Sequence, residues 1–145
     1  MPTKLAELQQ VRDGTRPPPP IATLIGFTLS AVAPGEAVIE FMAGRQHANP
    51  MGTLHGGVLC DIADAAMGIA YASTLAEGET FATLELKINF LKPVWTAKLR
   101  AVGRIVKRGK TLGLVECDIT DEQQGLVARA SSTCLTLRGE DARGR

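Results

Sequence analysis

The amino-acid sequence predicts an α+β fold in two layers: a long central helix wrapped by a curled antiparallel sheet of about six strands, with a short N-terminal helix. Three observations carry this prediction. Gly56 to Ser73 is an apolar run of mostly Ala, Ile, Leu, Met and Gly, rich in helix formers and too long for one strand. Six other segments have strand composition and are separated by turn residues. With 145 residues, 45% of them hydrophobic and 21% charged, the chain can build one core but not two ordinary domains, so 1–145 reads as a single domain.

Taken in order, Thr3 to Asp13 places Leu5, Leu8 and Val11 at helical spacing, with Gly14 as a stop. Pro17 to Pro20 then forces an extended connector, so that 1–20 is a docking helix and a stiff link. Gly26 to Ala33 and Ala37 to Ala43 flank the turn Pro34-Gly35-Glu36 as a hairpin. Thr80 to Leu91 alternates, with Ala82, Leu84, Leu86, Ile88 and Phe90 on one face and Thr83, Glu85, Lys87 and Asn89 on a wet face. Ala97 to Lys107, Thr111 to Thr120 and Leu126 to Leu137 complete the strands, and 139–145 is a polar tail. The central helix is apolar all round except at Asp61 and Asp64, the pattern of a buried helix. The open edges of such a sheet favour a homo-oligomer, a dimer or a dimer of dimers.

Composition narrows the function. A net charge of +1, from 16 Lys and Arg against 15 Asp and Glu, gives no general attraction to nucleic acid or to an anionic membrane. An aromatic content of 4% argues against a stacking surface for single strands. Asp61 and Asp64 sit inside the longest apolar run and argue against a transmembrane segment. Three cysteines without CxxC spacing, and no apolar leader, point to a reducing cytoplasm. Two histidines, His47 and His55, are too few for a metal cluster, so no metal is expected.

The chemistry concentrates where a polar, glycine-rich loop, Asn49-Pro50-Met51-Gly52-Thr53-Leu54-His55-Gly56-Gly57, runs into the central helix. A helix start offers unpaired backbone N–H groups and a positive dipole end, suited to an oxyanion. The alternative is that the glycines only permit a tight entry to the helix. Asp64 lies two turns on, and no lysine or arginine occurs from Gln46 to Leu86, which makes this carboxylate a candidate general base or nucleophile. A structural hydrogen bond from another strand is the competing reading. Asp61, near the helix start, is read as favouring the dipole and not as catalytic. A basic cluster around Lys107, Arg108, Gly109 and Lys110 is suited to phosphates.

These residues resemble the hotdog-fold acyl-CoA thioesterases of the phenylacetate-degradation and 4-hydroxybenzoyl-CoA type. The likeness rests on the loop from Asn49 to Gly57, on Asp64 nine residues after His55, and on Arg108-Gly109-Lys110-Thr111, and it spans Leu24 to Leu137. The resemblance implies an acyl-CoA hydrolase, with an aryl or a short- to medium-chain acyl group, whose active site lies at a subunit interface. It implies that Gly56 offers its N–H to the thioester carbonyl, with Asn49 and His55 supporting that pocket. Asp64 then activates water and Thr83 orients it, while Gly57, Lys107, Arg108, Gly109 and Lys110 contact substrate or its coenzyme A. No cofactor is implied beyond the coenzyme A of the substrate. Two other activities suit the same residues: a hotdog 3-hydroxyacyl dehydratase, and a non-catalytic protein that binds or senses acyl-CoA.

Overall fold

The computed structural model describes residues 2–145. Helix α1 (Lys4–Asp13) starts at Thr3, whose hydroxyl accepts from the Ala6 N–H, and ends at Gly14 in the left-handed conformation (φ 78°). A second short helix, α2 (Pro20–Ile25), follows. The strands are β1 (Phe27–Ala33), β2 (Glu36–Ala43), β3 (Thr80–Phe90), β4 (Ala97–Arg108), β5 (Leu112–Thr120) and β6 (Leu126–Leu137). The central helix α3 (Gly56–Ala72) lies between β2 and β3 in the chain.

The six strands form one antiparallel sheet in the order β1-β2-β4-β5-β6-β3, curled around α3 as a hotdog fold. Its floor is set by two close approaches. A Cβ on Gly103 of β4 would stand 2.5 Å from the Ala66 carbonyl oxygen, and one on Gly113 of β5 would stand 2.4 Å from the Tyr71 ring. Glycine at both places lets the helix settle directly on the strands. Ile62, Met67 and Tyr71 of α3 are fully buried in one core cluster with Ile39, Leu99 and Val115 of the sheet. Deep in this core the Tyr71 hydroxyl meets Thr136 Oγ1 at 2.7 Å, so its polar end is satisfied.

Three sequence expectations need correction. Pro20 is not part of the extended connector but the first residue of α2, where its missing N–H is no loss and its fixed φ suits a helix. Helix α3 is not buried all round: the sheet wraps one side, and Asp61 and Asp64 lie on an exposed face. The alternation of β3 is interrupted by a bulge between Thr83 and Glu85. Thr83 pairs with Cys134 and Glu85 with Thr133, leaving Leu84 unpaired and 54% exposed. Phe81 and Thr83 therefore face the helix before the bulge, and Leu86 and Ile88 face it afterwards. No described helix is long and apolar enough to cross a membrane.

Candidate active site

The loop entering α3 is held by its own side chains. Asn49 Oδ1 accepts from the N–H groups of Met51 (2.9 Å) and Thr53 (3.1 Å), and Asn49 Nδ2 donates to Thr53 Oγ1 at 2.7 Å. Ala48 and Leu54 pair across the loop as an isolated bridge. Buried His47 ties this loop to its surroundings. Its Nδ1 accepts from the Gly44 N–H (3.0 Å), so its proton sits on Nε2, which donates to the Ile25 carbonyl at 2.8 Å. The His47 carbonyl in turn receives the His55 N–H at 2.9 Å.

His55 is the N-cap of α3, and its Nδ1 accepts from the Gly57 N–H at 2.8 Å. The Val58 and Leu59 amides go to the His55 carbonyl. Gly57 is thus occupied, and among the described residues the Gly56 N–H has no acceptor. The ring of Phe90 packs on Gly56 so closely that a Cβ there would lie 2.9 Å from Cζ. Gly56, Asn49, Thr53 and Phe90 line a cavity of about 440 Å³. The first glycine of the helix therefore leaves one unspent donor at the wall of an open space.

Asp64 lies farther along α3, and the Thr83 hydroxyl donates to its Oδ1 at 3.1 Å. None of the ion pairs among the described residues involves Asp64 or Asp61. Partial burial, and then the charge of Asp64, holds the Asp61 carboxyl above its ordinary range. Burial, followed by the charges of Asp61 and Asp64, raises the Cys60 thiol, while burial pushes the Cys117 thiol up to about 12. These are poor nucleophiles. Asp64 and Thr83 open onto a largely apolar cavity of about 330 Å³ that does not include Gly56. Asp64 lies eight positions beyond Gly56, about 12 Å of helix, so one chain does not bring the two to the same reacting atoms.

The basic turn lies near the far end of α3. Arg108 Nε donates to Thr74 Oγ1 at 3.0 Å, and its guanidinium stacks 4.5 Å from the centre of the Tyr71 ring. The Gly109 N–H closes the turn on the Leu112 carbonyl at 2.8 Å. Lys107 and Lys110 are exposed. Sequence reasoning overlooked Phe90 as a neighbour of Gly56, because half-exposed aromatics carry no signal of what they cover. It also placed Thr83 on the wet face, for want of the bulge.

Residues 51–128 match the model of the family described as "Thioesterase superfamily". The chain is 29% identical over 109 residues to human acyl-coenzyme A thioesterase 13, covering 74% of this chain and 77% of that one. It is also 29% identical over 109 residues to the 1,4-dihydroxy-2-naphthoyl-CoA hydrolase of Listeria monocytogenes, covering 75% and 89%. Among solved structures it is similar to the PaaI protein of the E. coli phenylacetic acid degradation operon, with a TM-score of 0.82, 25% identity, and 92% and 95% of the two chains covered. The matched region holds the glycine-led start of α3, Asp64 and Thr83 together, and with it the chain belongs to the thioesterase superfamily, as a PaaI-like thioester hydrolase of the hotdog fold.

Proposed function

We propose that the protein hydrolyses acyl-CoA thioesters to the free acid and coenzyme A by general-base activation of water, in a site shared between two subunits. The observation that carries this reading is Asp64: a carboxylate with no cationic partner, aligned by the Thr83 hydroxyl, at the mouth of an apolar cavity. A water held by Asp64 gives up its proton to the carboxylate as its oxygen attacks the thioester carbonyl carbon. The developing oxyanion is met by the free Gly56 N–H of the other subunit, strengthened by the positive end of α3. Collapse of the tetrahedral intermediate breaks the C–S bond, and Asp64 returns the proton to the leaving thiolate sulfur.

Two subunits are required because about 12 Å of helix separates donor from base within one chain. Edge strand β3, which pairs on one side only, offers the place to join them. Asn49 and His55 do not touch the substrate in this scheme; they hold the loop and cap the helix so that Gly56 keeps its donor free. Lys107 and Lys110 supply exposed ammonium groups for the coenzyme A phosphates, and Arg108 and Gly109 shape the turn that presents them.

The test is hydrolysis of a panel of acyl-CoA thioesters by wild type and Asp64→Asn, with a blank for the three protein thiols. Removal of the base lowers kcat by roughly 100-fold or more while the variant keeps its oligomeric state. Unchanged turnover in Asp64→Asn would end this assignment.

A further inference from the structure

The apolar space beside Asp64 is shared between α3, which supplies Ala65, Gly68, Ile69 and Ala72, and the N-terminal segment, which supplies Leu8, Pro19 and Ile21. The cavity that Asp64 and Thr83 open onto is walled by Leu8 of α1, Ile21 of α2, Phe27 of β1 and Gly68 of α3. A Cβ on Gly68 would stand 3.1 Å from the Phe81 ring tip, so the bare glycine keeps this space clear. A second cavity, of about 490 Å³, adjoins the first: Pro19, Phe27 and Ile69 line both. Its roof is Val11, Pro17, Pro18 and Ala22, and its floor includes Ile39 of the sheet. The two arginines at its wall are paired, Arg12 with Asp13 at 2.9 Å and Arg16 with Glu7 at 3.6 Å, so it presents no free cation to a charged tail.

We propose that the acyl tail of the thioester runs from Asp64 and Thr83 under α1 and α2 into this second cavity, so that the N-terminal segment selects medium-chain aliphatic acyl groups. The proposal rests on the reading of Asp64 as the hydrolytic base. Its length scale follows from geometry. Asp64 to Ile69 is about 7.5 Å of helix. Extended chain advances about 3.3–3.6 Å for every three bonds, so a tail of roughly six carbons reaches Ile69 and a longer one enters the second space. Each methylene taken from water there strengthens binding by up to about four-fold. Among the described residues that line the first cavity, Asp64 and Thr83 alone carry polar side chains, so its interior offers no partner to a hydroxylated or charged acyl group.

Two filling substitutions at different depths test this: Ile21→Trp in the first cavity and Thr28→Trp in the second. The readouts are kcat/KM for acetyl-, hexanoyl- and decanoyl-CoA, and calorimetric binding of the non-hydrolysable acetyl and decanoyl thioether analogues. Wild type favours decanoyl over acetyl by at least ten-fold in both. Ile21→Trp abolishes that preference from hexanoyl onward, whereas Thr28→Trp lowers the decanoyl value by about ten-fold and spares hexanoyl. A flat chain-length profile in wild type, or an equal loss for all three esters in both variants, overturns the proposal while leaving hydrolysis standing. Tighter binding of the decanoyl analogue that Ile21→Trp removes, with no turnover of any ester, upholds the cavity and sinks the hydrolysis reading instead.

Discussion

The Thr83 hydroxyl donates to Asp64 Oδ1 across 3.1 Å from a strand that, without the bulge at Leu84, would turn it away from the helix. Regular alternation would group Thr83 with Glu85, Lys87 and Asn89 on the outer face. There Glu85 accepts from the Thr133 hydroxyl and Lys87 donates to Asn89. The unpaired Leu84 reverses the phase, so one extra residue decides whether the carboxylate is oriented.

If that hydroxyl positions the base, Thr83→Val lowers kcat by roughly ten-fold with little change in KM, and Thr83→Ser restores most of the loss. Steady-state kinetics on one good ester checks this. An equal loss in Thr83→Ser would show that the methyl group, and not the hydrogen bond, is what matters.

Sharing of the site between subunits is tested by mixing two inactive proteins. Gly56→Pro deletes the free N–H at a first-turn position whose backbone suits proline, at the cost of displacing the half-exposed Phe90 ring, and Asp64→Asn deletes the base. In a two-fold dimer each hybrid regains one intact site, and random assortment restores about a quarter of wild-type activity. Sites confined to single chains regain none.

Packing of the helix on its floor is tested at Gly103. A methyl group there meets the Ala66 carbonyl at 2.5 Å, a backbone atom that cannot turn aside. Gly103→Ala should lose about 2 kcal/mol, read as a lower urea midpoint at unchanged m.

Asp61 supplies a pH signature. Burial, and then the charge of Asp64, raises its carboxyl above the ordinary value of 3.8, so the folded protein holds this proton to higher pH than the unfolded chain. Its contribution to stability is most favourable below the unfolded value and falls as pH rises through the folded one. Asp61→Asn therefore raises the urea midpoint at pH 7, and the gain vanishes near pH 3. A gain of equal size at both pH values would rule out the titration.

The central helix and all six strands were legible because their signals are local. Gly56 to Ser73 is too long and too apolar for a strand, and the strand segments are bounded by turn residues such as Pro34-Gly35. The loop from Asn49 to Gly57 was legible as a polar, glycine-led entry to α3 because it directly precedes the long apolar run, and its Asn49 and His55 hold the loop and cap the helix. The missed features depend on partners. The bulge at Leu84 exists only in the register with β6, and leucine at an even position preserves the apparent alternation. The face that α3 leaves exposed at Asp61 and Asp64 depends on where the sheet stops curling. Pro20 was misread because a run of prolines looks extended until the last one begins a helix.

Everything from Lys4 to Ile25 lies in one contiguous stretch ahead of the first strand, and its tie to the helix-entry loop is the single bond from His47 to the Ile25 carbonyl. Because no residue of this stretch takes part in strand pairing, it behaves as a cassette. A change in this stretch therefore leaves the strand pairings untouched and acts instead through the side chains it lays on the core, Leu5, Leu8, Ala22 and Ile25.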